Sequence, residues 1–319
     1  MKQYFRLKNN TCEYVVQATG NSIQTKKVAP IYSTDSRFTK NERTYYNLMK
    51  IKKNNYVKHM ELDVPINFFI TDHCNLNCKS CCVFSPLAEK SFMSLNVFER
   101  DIKQLAKLSD SNVKEIYILG GEPLLHPQCI DFCIVARKYL PNTIIKLITN
   151  GIRLSRQSKN FFSKLKENSI IVLITKYPIN VNYNEIENLL ISSGNEYYFL
   201  DKPSSWKKIP LVENKISNSC KVFTKCYQNN ESLCLHDGYF YPCHVGNRVK
   251  ILNKKFNKKY PFEHNGINIH DCKSLDELLT FLSNPIPLCS YCGVCEIQEI
   301  DWARSERNIE EWLLISNGK

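Results

Sequence analysis

The chain predicts an α/β fold on a parallel sheet, and three observations predict it. Short apolar stretches alternate with helical patterns from about residue 64 to 200. The stretches are near-continuous Ile, Leu and Val, as in strands with both faces covered by helices. The residues of unusual type sit just after the strands, where parallel α/β folds carry their functional loops. Such alternation is either an open doubly wound sheet or a partial (β/α) barrel.

The elements follow in order. Residues 1–60 are polar with scattered aromatics and read as an N-terminal extension with some short strands. Val64 to Ile70 is a first buried strand, followed at once by a cysteine cluster. Ser94 caps a helix whose Leu95, Phe98, Ile102, Leu105 and Leu108 fall at helical spacing. Val113 to Leu119 is a second strand ended by Gly120-Gly121, and His126 to Tyr139 a second helix. Thr143 to Thr149 is a third strand ended by Asn150-Gly151, and Ser155 to Lys166 is helical. Ser169 to Thr175 is a fourth strand, Tyr183 to Ser193 a helix, and Glu196 to Leu200 a fifth strand. Beyond residue 201 prolines and cysteines recur, with a helix at Ser274 to Leu282. Residues 201–319 therefore read as a smaller domain with few regular elements, after a 61–200 domain and the 1–60 extension.

Composition narrows the function classes. The 319 residues include 15 cysteines, too sparse for a small disulfide scaffold. No apolar run reaches the roughly 20 residues that span a bilayer, and the charged N-terminus is followed by no apolar signal segment. The expectation is a cytoplasmic protein without a membrane partner, whose cysteines serve metal or redox chemistry. The formal charge of +12 permits an anionic partner.

The densest feature is Cys74-x3-Cys78-x2-Cys81. Three thiolates on one loop can bind three irons of a cubane cluster, which normally takes four cysteines. The fourth iron is then open to an outside ligand. Cys82 follows directly but points elsewhere. Together with Gly120-Gly121-Glu122-Pro123 after the second strand and Thr149-Asn150-Gly151 after the third, this loop resembles the radical S-adenosylmethionine (SAM) superfamily over about residues 64–200. The resemblance implies a partial (β/α)6-type barrel. It also implies a catalytic [4Fe–4S] cluster on Cys74, Cys78 and Cys81, and a SAM pocket lined by Gly120, Gly121, Glu122, Pro123, Thr149 and Asn150, with Glu122 as partner of the SAM ammonium. One electron from the cluster would cleave SAM to a 5′-deoxyadenosyl radical that abstracts a substrate hydrogen. The family's usual aromatic before the third cysteine is here Ser80, with Phe84 as the substitute for its adenine contact. Thr175 and Lys176 stand at the expected ribose position.

A second set comprises Cys220, Cys226, Cys234, Cys243, Cys289, Cys292 and Cys295, with a hairpin turn at Asp237-Gly238. Its spacing resembles the twitch domain, the shortened relative of the SPASM domain, and implies one auxiliary [4Fe–4S] cluster. Cys226, Cys243, Cys289 and Cys292 are the favoured ligands, and Cys220, Cys234 and Cys295 the reserves. A zinc knuckle on Cys289, Cys292 and Cys295 is the alternative. Cys12, Cys82, Cys129, Cys133 and Cys272 show no pattern. His73, His126, His236, His244 and the basic run Lys250, Lys254, Lys255, Lys258 and Lys259 are further polar candidates.

The expected function is a radical SAM oxidoreductase or modifying enzyme, oxidising or epimerising a small carbohydrate- or nucleotide-like molecule and fed electrons by a flavodoxin or ferredoxin. A peptide-modifying maturase is the alternative within the family, although residues 1–60 show no winged-helix pattern for a leader peptide. A zinc-stabilised nucleic-acid-binding protein is the alternative outside it, and it leaves the GGEP and TNG segments without a purpose.

Overall fold

The computed structural model describes residues 3–8, 13–19, 22–27, 62, 64–201, 205–215, 218–226 and 233–314. Strands β1 (Gln3–Lys8), β2 (Glu13–Thr19) and β3 (Ser22–Lys27) form an antiparallel meander. Cys12 lies outside the described residues.

The alternating region follows the predicted order. It runs β4 (Ile66–Phe69), α1 (Leu95–Ser109), β5 (Glu115–Leu119), α2 (Cys129–Tyr139), β6 (Ile144–Thr149), α3 (Lys159–Glu167), β7 (Ile170–Lys176), α4 (Tyr183–Ser193) and β8 (Tyr197–Asp201). The five strands pair in parallel in sequence order. The helices pack side by side, α1 on α2, α2 on α3 and α3 on α4, in one layer. Their apolar faces meet alternate strand residues, among them Ile66, Phe68, Ile116, Ile118, Ile145, Leu147, Val172 and Ile174. Asn67, Phe69, Tyr117, Lys146, Thr175 and their neighbours take the other face. A single helix layer outside and a polar inner face is the arrangement of a barrel wall, not of a doubly wound sheet. That face explains why β5 alternates between buried and half-buried residues, although continuous burial was expected.

The sheet does not stop at residue 201. After β9 (Ser205–Lys208) and α5 (Ser219–Lys225), strand β10 (Leu233–His236) lies parallel to β4, with Leu233 opposite Ile66 and Cys234 opposite Asn67. β10 thus supplies a sixth parallel strand, at the first edge of the sheet and not after β8. β11 (Tyr239–Tyr241) and β12 (Ile267–Asn268) extend that edge antiparallel. Asp237 and Gly238 both have positive φ, as a two-residue hairpin turn requires.

Between β11 and β12 runs α6 (His244–Phe256), a 13-residue helix absent from the sequence reading. Its Val245, Val249 and Leu252 pack with Phe84, Leu87, Ile286, Leu288 and Trp312 in a second core. α7 (Leu275–Leu282) is capped by Ser274, whose Oγ accepts from Glu277 N–H, and β13 (Gln298–Asp301) pairs with β9. Cys129, Cys133 and Cys272 are buried in the main core.

One buried carboxylate ties α1 to the hairpin edge of the sheet. Asp101 on α1 accepts from Gly238 N–H at 2.6 Å, lies 2.8 Å from His270 Nε2, and accepts from Arg100. Removing it strands a buried backbone donor at the hairpin. Asp101→Ala should lower stability by roughly 2–4 kcal/mol in anaerobic urea denaturation; a loss under about 0.5 kcal/mol would show that the hairpin does not depend on this contact.

Candidate active site

The site is built where β4, β5 and β6 end. The loop after β4 carries Cys74, Cys78 and Cys81, and it curls tightly, since Asn77, Ser80 and Phe84 all adopt positive φ. Non-glycine residues rarely do so, and their clustering marks a shape imposed by surrounding contacts. Those contacts come from the far end of the chain. Lys79 N–H donates to Ala303 O at 2.8 Å and Ser305 N–H to Asn77 O at 2.8 Å. Ser80 Oγ donates to Glu311 O at 2.6 Å, Trp312 Nε1–H to Cys81 O at 2.9 Å, and Trp302 Nε1–H to Cys78 Sγ at 3.3 Å. Residues 302–312 therefore clamp the loop.

The GGEP segment is pressed against the same loop. Gly121 N–H donates to Thr71 O and Glu122 N–H to His73 O. A Cβ on Gly121 would lie 2.1 Å from His73 O, and one on Gly120 2.6 Å from Thr71 O. Two backbones meet there, so a side chain has no room. Pro123 opens a short 3-10 turn that Glu122 caps.

Glu122 ties the segments together. It is buried and accepts from Thr149 Oγ1 at 2.6 Å, Asn150 N–H at 2.9 Å and Leu124 N–H at 3.1 Å. Burial pushes its carboxyl up to about 7, against these hydrogen bonds, which favour the charged form. Asn150 Nδ2 reaches Asn75 Oδ1 at 2.8 Å and Cys74 Sγ at 3.8 Å. All three sequence motifs thus converge on one end of the sheet.

The three thiols act electrostatically on one another, and burial raises each: Cys74 to about 12, Cys78 and Cys81 upward as well. Tyr177, just past β7, is within electrostatic reach of these thiols, its hydroxyl titration raised by burial first and then by Cys78, Cys81, Cys74 and Cys82. The sequence reading passed over this residue, although it directly follows the Thr175-Lys176 pair. Phe84 does not stand in for the missing aromatic. It is 2% exposed and packs on Trp312 with ring centroids 6.2 Å apart, because its positive φ turns it into the second core.

The second cysteine set also draws together. Cys226 caps the end of α5, Cys243 caps the start of α6, and Cys289 and Cys292 lie on a 3-10 turn over Pro287–Tyr291 and its end. The thiol of Cys292 feels those of Cys226, Cys289 and Cys243, and Cys289 feels Cys243 and Cys226. Gly246 N–H donates to Cys243 Sγ at 3.4 Å. Of the reserves, Cys295 is exposed, Cys220 is buried on α5 and disulfide-bonded, which takes it out of the candidate ligands and departs from the expectation of reduced thiols, and Cys234 is buried on the inner face of β10 with Asn247 Nδ2 at 3.3 Å. Among the described residues, no three or more His, Cys, Asp or Glu side chains converge on a position for a single ion.

The remaining candidates have local partners. His126 Nδ1 accepts from Gln128 N–H, so its Nε2–H faces Met93 O at 3.0 Å. His73 stacks edge-on against Phe92. Lys254 pairs with Glu89 and Lys258 with Glu213, and Lys250 lies over the Phe262 ring. His236 and His244 are buried on the inner face. Burial first, then the Arg248 charge, pushes His236 down to about 4, so it is neutral in the fold. An unfolded histidine titrates near 6.5, so the unfolded chain binds the proton first and stability falls as pH drops from about 6.5 toward 4. Between pH 7 and 5 the wild type should lose about 2 kcal/mol more than His236→Gln in anaerobic urea titrations. Equal losses would contradict a buried neutral ring.

The profile of the Radical SAM superfamily matches residues 68–194 of this chain. The GTP 3',8-cyclase of Chlorobaculum tepidum is 33% identical over 92 residues, 29% of this chain and 27% of the relative. That of Aliarcobacter butzleri is 31% identical over 98 residues, 31% of this chain and 29% of the relative. The chain thus spans under a third of the length of the curated relatives it matches. Among solved structures, BtrN in complex with AdoMet and 2-DOIA is similar at TM-score 0.48 and 16% identity, covering 72% of this chain and 93% of that one. Streptococcus suis SuiB is similar at TM-score 0.35 and 14% identity, covering 84% and 79%. Among the described residues no helix is long and apolar enough to cross a membrane.

Proposed function

We propose that this chain reductively cleaves SAM at a [4Fe–4S] cluster held by Cys74, Cys78 and Cys81, and uses the product to oxidise or epimerise a small carbohydrate- or nucleotide-like molecule. An auxiliary [4Fe–4S] cluster on Cys226, Cys243, Cys289 and Cys292 completes the reading, and a flavodoxin or ferredoxin is the electron donor. A cytoplasmic setting, which keeps the cluster thiols reduced, suits this reading. The observation that carries the proposal is the convergence of the three motifs, with Glu122 bonded to Thr149 and Asn150, and Asn150 reaching Cys74. The nucleotide in the relatives' name favours a nucleotide-like substrate over a peptide.

The donor chemistry fits the clusters. Each set offers thiols gathered in a water-poor place, where burial opposes free thiolates and iron would stabilise them. A cubane takes its thiolates at separate irons and needs no convergence on one point. Trp302 Nε1–H toward Cys78 and Leu76 N–H toward Cys74 at 3.4 Å would stabilise charge on sulfur. Held by Cys74, Cys78 and Cys81, a reduced cluster would supply the electron for reductive cleavage of SAM. Glu122 offers a carboxylate with one lone-pair direction left, for which an ammonium is the natural partner. Gly120 and Gly121 keep that carboxylate against the cysteine loop. Residues 302–312 cover the loop and limit water. Anaerobic reconstitution should give about eight irons per chain, and dithionite with SAM should release 5′-deoxyadenosine. A loaded, reduced protein that leaves SAM intact would refute the proposal.

A further inference from the structure

Beside Cys81, on the inner face of the sheet, lies a buried polar group of residues that the SAM chemistry does not use. Arg248 of α6 is fully buried. Its Nη2 pairs with Asp72 Oδ1 at 2.6 Å, and its guanidinium lies over the Phe69 ring, 5.0 Å from the centroid. Its Nε and Nη1 have no protein partner. Four more buried atoms around it also lack one: Asn67 Oδ1 on β4, His236 Nδ1 on β10, and His244 Nε2 and Asn247 Oδ1 on α6. They belong to one place. Asn67 stands opposite Cys234 across the strand pair, and the Arg248 charge acts on Cys81, Cys234, His236 and His244.

A buried guanidinium with idle donors is costly, and folded proteins satisfy nearly all buried polar groups. Six idle atoms in one place point to a partner from outside the chain. Asp72 takes a single oxygen contact with Arg248, so most of the guanidinium donors remain. A planar set of N–H donors matches anionic oxygens, and the flanking rings and amides suit hydroxyls beside them. We propose that Arg248, with Asn67, His236, His244 and Asn247, forms the subsite that holds an anionic oxygen group of the substrate, a carboxylate or a phosphate, next to Cys81. The assignment rests on the radical SAM reading and narrows its substrate to an anionic molecule.

The test uses reconstituted full-length protein under anaerobic calorimetry. Saturating SAM is present, so the cofactor's own carboxylate is already accommodated. Inorganic phosphate and malonate are the probes, and glycerol is the neutral control. The wild type should bind at least one anion and not glycerol, and Arg248→Met should weaken that binding about tenfold or more. Phosphate alone identifies a phosphorylated substrate, malonate alone a carboxylate, and either supports the subsite. Should Arg248→Met fail to fold, the charge-balanced pair Arg248→Met with Asp72→Asn replaces it. No anion binding by the wild type, or equal binding by the variant, overturns the subsite. Wild-type 5′-deoxyadenosine release without any anion is scored separately and bears only on the SAM reading.

Discussion

Alanine at Cys74, Cys78 or Cys81 lowers 5′-deoxyadenosine release by roughly a thousandfold or more, since each position is to supply one of three cluster bonds and no neighbour replaces it. Cys82 is adjacent and acts on the Cys78 thiol, but the proposed ligand set leaves it out. The same variants should keep the iron of the auxiliary site, about four per chain. Their far-ultraviolet circular dichroism should match the wild type, because all but one of the hydrogen bonds from the loop to residues 302–312 are made without a cysteine thiol. Cys82→Ala serves as the control and should retain SAM cleavage. Equal activity in a Cys78→Ala protein would remove that residue from the cluster.

The second large effect falls on the auxiliary set. Alanine at Cys226, Cys243, Cys289 or Cys292 should lower iron from about eight to about four per chain, whereas Cys295→Ala and Cys234→Ala should leave it near eight. The four favoured thiols lie near enough to act electrostatically on one another, while Cys295 is exposed and Cys234 takes a contact from Asn247. Iron loss in Cys295→Ala with none in Cys226→Ala would reassign the ligands. Zinc in place of iron, with no sulfide, would replace the cluster by a structural metal.

How much of this was legible in the sequence follows from the range over which each contact acts. The five strands from β4 to β8 were readable because each is a short local run rich in β-branched or aromatic residues between turn signals. The three motifs were readable because loop chemistry is also local. The clamp was not. Trp302, Ser305, Glu311 and Trp312 hold the cysteine loop across more than two hundred residues of chain, and no local pattern announces such pairs. The position of β10 beside β4 was hidden for the same reason. α6 did leave a signal, since Val245, Val249, Leu252 and Phe256 fall at helical spacing. Gly246 and the Asn- and Lys-rich outer face masked it, and its start at Cys243 read as part of a cysteine pattern. With α6 went Arg248, whose importance lies in being buried, a property a charged residue in sequence does not display. Asp101 was unreadable in the same way, looking like one more surface acid on α1.

The most direct test of the central claim is electron paramagnetic resonance of the reduced, reconstituted protein during titration with SAM. An open iron on the Cys74–Cys81 loop predicts that SAM changes the signal of the reduced cluster, and that the signal then decays as 5′-deoxyadenosine accumulates in proportion. A fully loaded, fully reduced cluster whose signal ignores saturating SAM, with no 5′-deoxyadenosine released, would contradict it.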